Sequence, residues 1–154
     1  MRVISGGQTG VDRAALDAAI DLGVDYGGSI PKGRKAEDGP ISQRYQYLVE
    51  LDSEDYSVRT ERNVIDADAT LILAMGPLTG GTALTAEATA LHRKPCLVVE
   101  LQQKTEEEAV REVTQWLALV RPQVLNIAGP RESKVPGIYK IAFGLVCRVL
   151  SGLS

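Results

Sequence analysis

Residues 4–23 read "ISGGQTGVDRAALDAAIDLG". An apolar stub gives way to Gly6, Gly7, Gln8, Thr9 and Gly10, and an alanine-rich segment follows. The spacing of Val11, Ala15, Ala18 and Leu22 predicts a helix over 11–22, with Gly23 suited to its end. Arg2–Ser5 ahead of it predicts a short strand. The unit is therefore strand, glycine-rich loop, helix. Two readings of the loop stand: a tight turn with Thr9 as helix cap, or a ligand loop in which Gln8 and Thr9 supply donors.

The same unit recurs outward. "ATLILAM" (69–75) is apolar almost throughout, as strands covered on both faces are. "GPLTGGT" (76–82) and a helix over 83–92 follow it. Val124–Ile127 predicts a last strand, then "AGPRESKVPG" (128–137) and an amphipathic helix over 138–150, with Ile138, Ile141, Ala142, Leu145 and Val149 inward. Between these lie strands over 25–30, 47–51 and 96–101 and helices over 57–66 and 105–120. Thr105 and Glu108 form a capping box for the last of these, and Ala109, Val113, Trp116, Leu117 and Val120 line its core face. Such alternation predicts one α/β domain over residues 1–154, a three-layer Rossmann-like fold with a mostly parallel sheet and helices on both faces.

Composition bounds the function. The chain has 154 residues, a formal net charge of −3 and 44% hydrophobic residues. Those values suit a soluble globular domain and argue against binding nucleic acid or an anionic membrane over a broad surface. The start of the chain is read as entering the fold directly, without a signal peptide, and no apolar run reaches the ~20 residues of a membrane span. A cytoplasmic protein is expected. Cys96 and Cys147 are expected to be reduced and buried. With one histidine, His92, no metal site and no nucleophilic triad are expected.

In open parallel sheets, ligands bind where loops leave the carboxyl ends of strands. The three glycine-rich loops all stand there, ahead of helix N-termini that favour anions. The candidate phosphate ligands are Gly6, Gly7, Gln8, Thr9 and Gly10 from the first loop. Thr79, Gly80, Gly81 and Thr82 come from the second, and Gly129, Arg131 and Ser133, with Lys134 beside them, from the third. The polar stretch "PKGRKAEDG" (31–39) adds Lys32 and Arg34 with Lys35, partly cancelled by Glu37 and Asp38. It reads either as a solvated charge run or as a shaped lid. Arg59 and Arg62 are weaker candidates for the same cleft. Asp12 complements its helix dipole or binds a hydroxyl or amine of the ligand. Glu87 is either a solvated helix carboxylate or an acid–base group facing the cleft.

Four stretches together, "ISGGQTGVDRAALDAA", "PKGRKAEDGPI", "DATLIL–GPLTGGTALT" and "NIAGPRESKVPGIY", resemble a family of proposed molybdenum cofactor carriers. It is the circularly permuted YpsA-like branch of the SLOG superfamily. The resemblance runs from Val3 to about Tyr139. It implies a Rossmann-like domain binding a phosphate-bearing small molecule, with molybdenum cofactor (molybdopterin) as the named candidate and a nucleotide as the other. It also implies a homo-oligomer. Relatives that cleave N-glycosidic bonds of nucleoside monophosphates carry P-G-G-x-G-T-x-x-E. Gly80, Gly81 and Glu87 fall in register with that pattern, whereas Thr79, Ala83 and Leu84 replace its Pro, third Gly and Thr. The resemblance thus favours a carrier over an enzyme, with Glu87 as the catalytic carboxylate only in the enzymatic alternative. Valine at Gly7 or Gly81 is expected to abolish ligand binding while leaving most of the fold.

Overall fold

The computed structural model describes residues 1–153. Six strands, β1 (Arg2–Ile4), β2 (Tyr26–Ile30), β3 (Leu48–Glu50), β4 (Ala69–Ala74), β5 (Cys96–Glu100) and β6 (Val124–Ala128), form one sheet in the order β3-β2-β1-β6-β4-β5. Every pairing is parallel. The helices are α1 (Val11–Asp21), α2 (Tyr56–Asp66), α3 (Gly80–Leu91), α4 (Glu106–Val120) and α5 (Ile138–Gly152). The arrangement is Rossmann-like, as the alternation of elements predicts. Inside the 31–43 loop, Lys32–Arg34 make a short 3₁₀ turn.

The main core lies between one sheet face and α1, α4 and α5. Val3, Leu71, Leu73, Leu125 and Ile127 point into it from the sheet, against Ala14, Ala18, Val113, Leu117, Ala142 and Leu145. Each large apolar side chain removed from water this way contributes about 1.5–3 kcal/mol. Alanines dominate α1 because α5 packs closely on it. Helices α2 and α3 pack together on the opposite face. A smaller cluster, Leu16, Ile30, Ala36, Ile41, Tyr45 and Leu48, holds the 31–43 loop at the β2–β3 side.

Local signals mostly act as expected. The Thr105 hydroxyl accepts the Glu108 N–H (3.1 Å). Helix α2 starts one residue early because the Asp55 carboxylate accepts the Ser57 N–H (2.8 Å). Two apolar positions differ from their expected places: Ile141 and Leu22 are exposed, since α5 turns Ala142, Leu145 and Val149 toward α1 and α4, and Leu22 lies past the packed part of α1. Both cysteines are free thiols, half-buried rather than fully enclosed. No helix among the described residues is long and apolar enough to cross a membrane.

Candidate functional site

Strands β1, β6 and β4 are neighbours, so the three glycine-rich loops meet at their carboxyl ends. The β1 and β6 loops touch backbone to backbone, the Val11 N–H donating to the Pro130 carbonyl (3.2 Å). Gly10 permits this approach: its φ is +79°, and a Cβ there would stand 2.3 Å from the Pro130 oxygen. Only glycine meets both conditions without strain.

A cavity of about 290 Å³ opens between these loops, near the small end of ligand-pocket sizes. Gly6, Gln8 and Asp12 line it from the β1 side. Thr79, Gly81 and Thr82 line it from the β4 side, and Gly129, Arg131 and Lys134 from the β6 side. Helix α2 completes it with Arg59, Thr60 and Asn63.

Charge is unevenly distributed over this wall. It carries three cations, Arg59, Arg131 and Lys134, against one carboxylate, Asp12. The Lys134 ammonium sits over the start of α3, its Nζ 2.7 Å from where a Cβ on Gly80 would stand. No carboxylate among the described residues pairs with it. The Thr82 N–H already donates to the Thr79 carbonyl (3.2 Å), so the N–H groups of Gly80 and Gly81 are the ones ahead of the helical ladder, at the positive end of the helix dipole. Two positive features therefore face each other with no counter-charge between them.

Arg59 is only 6% exposed. It donates from Nη1 to the Gly6 carbonyl and from Nε to the Thr60 hydroxyl. Burial pushes its guanidinium pKa down, while the Asp12 carboxylate and the Tyr56 hydroxyl oppose that fall. Asp12 is 8% exposed. Burial raises its pKa to about 6, against the opposing pull of Arg59, the Gln8 N–H, Arg13 and Arg131. Its Oδ2 accepts the Gln8 N–H (3.3 Å). The Tyr56 ring, outside the wall, gathers two of these cations and one more: Arg59 at 5.1 Å, Arg131 at 5.5 Å and Lys35 at 4.8 Å from its centre.

Several candidates stand elsewhere. Thr9 does not cap α1. Gly10 takes that position without a side-chain bond, because the Thr9 hydroxyl is already used, donating to Glu37 and accepting the Glu132 N–H (3.1 Å). Gly7, Thr9 and Gly10 therefore shape and brace the loop behind the wall, and Gly80 opens α3 beside it. Ser133 faces Glu37. Lys32 is exposed and outside the wall. Arg34 spends its guanidinium on its own loop, donating to the carbonyls of Ile41 (2.8 Å), Ser42 (2.8 Å) and Tyr45 (3.3 Å). Arg62 pairs with Asp66 at 3.5 Å, on the surface. Glu87 is exposed and outside the cavity wall. Sequence reasoning missed Thr60, Asn63 and Asn126, ranked Arg59 low and left the role of Asp12 open. Asn126 stands in a strand interior, where a polar residue among Leu125 and Ile127 was the available signal.

Gln8 joins the loops. Its Oε1 accepts the N–H groups of Thr9 (3.0 Å) and Glu37 (2.9 Å), while its Nε2 is enclosed with no acceptor among the described residues. Among those residues no cluster of three or more His, Cys, Asp or Glu side chains could hold a metal ion.

The model of the circularly permutated YpsA SLOG family matches residues 3–150. No curated protein matches the chain. The crystal structure of "Putative molybdenum carrier protein" from Syntrophus aciditrophicus SB superposes with a TM-score of 0.94 at 48% sequence identity, over 97% of this chain and 94% of that one.

Proposed function

Since the chain belongs to the circularly permuted YpsA SLOG family, we propose that it is a carrier that binds a phosphate-bearing small molecule in this cavity, molybdenum cofactor being the first candidate and a nucleotide the second. One observation carries the reading: Lys134 over the N-terminus of α3, joined by Arg131 and the buried Arg59, with Asp12 as the only carboxylate in the wall. A phosphate group supplies the counter-charge that Lys134 lacks, and accepts from the α3 amides and from the two arginines. The name of the Syntrophus relative supports the choice of cargo. The deeper wall, with Asn63, Thr82, Thr85 and Asn126 beside Ala74 and Met75, offers mixed polar and apolar contacts for a heterocycle. A homo-oligomeric state, on the strength of the resemblance, and a cytoplasmic location belong to the same proposal.

Bond cleavage has no comparable support. Glu87, the carboxylate in register with the phosphoribohydrolase pattern, does not face the cavity, and a general acid must reach the atom it protonates. The test is an equilibrium binding screen with nucleotides, NAD, ADP-ribose and molybdopterin. Sub-millimolar binding of at least one, weakened by Lys134→Ala, is expected. No binding of any phosphorylated compound refutes the proposal.

A further inference from the structure

Donors of the first and third loops, Thr9 and Ser133 outside the cavity wall and Arg131 on it, converge on one group. Glu37 is an exposed residue whose side chain, 19% exposed, folds in beside the cavity, and every donor around its carboxylate comes from outside its own segment. The Thr9 hydroxyl donates to Oε1, and so does the Ser133 N–H (3.2 Å). The Ser133 hydroxyl donates to Oε2 (2.5 Å), and the Arg131 Nη1 stands 3.8 Å from the same oxygen. Partial burial works to raise the Glu37 pKa, but these donors outweigh it and hold the carboxyl below its usual range. Two hydroxyls, one amide N–H and one guanidinium form a typical donor set for a tetrahedral oxyanion. Arg131 belongs to both places, lining the cavity and facing Glu37.

We propose that Thr9, Arg131 and Ser133 form an oxyanion subsite adjoining the cavity, and that Glu37 is its built-in competitor, displaced when a phosphate or phosphate ester enters. The inference rests on the cavity being a phosphate site. It adds where a second oxyanion oxygen set binds and what restrains its binding. Glu37 neutralises Arg131 while it occupies the cradle, so removing its charge both vacates the donors and restores a cation. The backbone anchor of the segment stays intact on such a change, because the Glu37 N–H bond to Gln8 does not involve the carboxylate.

The experiment titrates inorganic phosphate, and separately methyl phosphate, into the wild-type chain and Glu37→Gln, followed by calorimetry and amide NMR. Phosphate affinity is expected to rise at least tenfold in Glu37→Gln, with the Ser133 and Glu132 amides shifting, and to fall back in Glu37→Gln with Ser133→Ala. A gain for methyl phosphate as well identifies an ester-accepting subsite, and a gain for inorganic phosphate alone identifies a free-phosphate subsite. Unchanged or weaker affinity in a folded Glu37→Gln overturns the inference. Should that variant fail to fold, the wild-type titration decides. Shifts at Ser133 support the subsite, and shifts confined to 80–82 refute it while leaving the carrier proposal standing. No shift at either place refutes both.

Discussion

Replacing Asp12 by asparagine should stabilise the protein at alkaline pH and do little at acid pH. The folded state raises the Asp12 pKa from 3.8 to about 6. That is about a hundredfold in proton affinity, or about 3 kcal/mol at about 1.4 kcal/mol per factor of ten. The folded chain therefore holds this proton more tightly than the unfolded chain. The group costs nothing below about pH 4, its cost grows as pH rises toward 6, and it is constant above that. The attraction of Arg59 is already contained in the net shift, since it lowers the same pKa. Asparagine keeps the shape and an acceptor for the Gln8 N–H but never ionises. Any fixed cost of the exchange is common to both conditions, so the readout is the change in the stability difference between pH 4 and pH 8. Urea denaturation should give Asp12→Asn a relative gain of about 3 kcal/mol at pH 8, seen in thermal melts as roughly 6–12 °C for a domain of this size. An equal stability difference at the two pH values would refute the reasoning.

Four other outcomes are expected. Gly81→Val should abolish phosphate binding with an unchanged circular dichroism melt, because Gly81 has open space where its Cβ would go. Gly7→Val should instead lower stability by about 3 kcal/mol or more, since Gly7 has φ +71° and its Cβ would stand 2.8 Å from the Ile41 Cδ1. Lys134→Ala should weaken phosphate binding at least about tenfold, measured by calorimetry, without changing the melting temperature. Tyr139→Phe removes the hydroxyl that donates to Asp17 beside the Tyr45 and Arg44 donors, and it should cost about 1–2 kcal/mol in urea denaturation.

Periodicity made nearly every strand and helix legible, because a two-sided parallel sheet writes itself as short apolar runs such as 69–74 between amphipathic segments. Strand neighbours were not legible in the same way. Nothing local in "VLNIA" says that β6 lies between β1 and β4, since that placement is decided by which faces remain uncovered once the crossovers are made. The site was half-legible for the same reason. Loop glycines and the cations of "GPRESK" announce themselves by position after a strand. Arg59 sits mid-helix, and only the packing of α2 against β2 and α3 carries it to Gly6. The 31–39 stretch misled by composition: Arg34 carries the charge a phosphate wants, but the carbonyls of its own loop claim it first. Gly7 and Gly81 look alike in sequence, and only their backbone angles and neighbours separate a folding residue from a cavity residue.

The central position of β6 also orders events in time. Arg2 pairs with Val124 and Ile4 with Asn126, so the middle of the sheet joins residues 122 positions apart. On a ribosome, β1 to β3 and β4 to β5 can each assemble early, but the two parts share no strand pairing until β6 emerges and zips them together. Contacts so distant in sequence make for slow folding. The cavity draws one wall from each part and a third from the segment just after β6. The cavity wall is therefore incomplete until the segment from Gly129 to Val135 has been made.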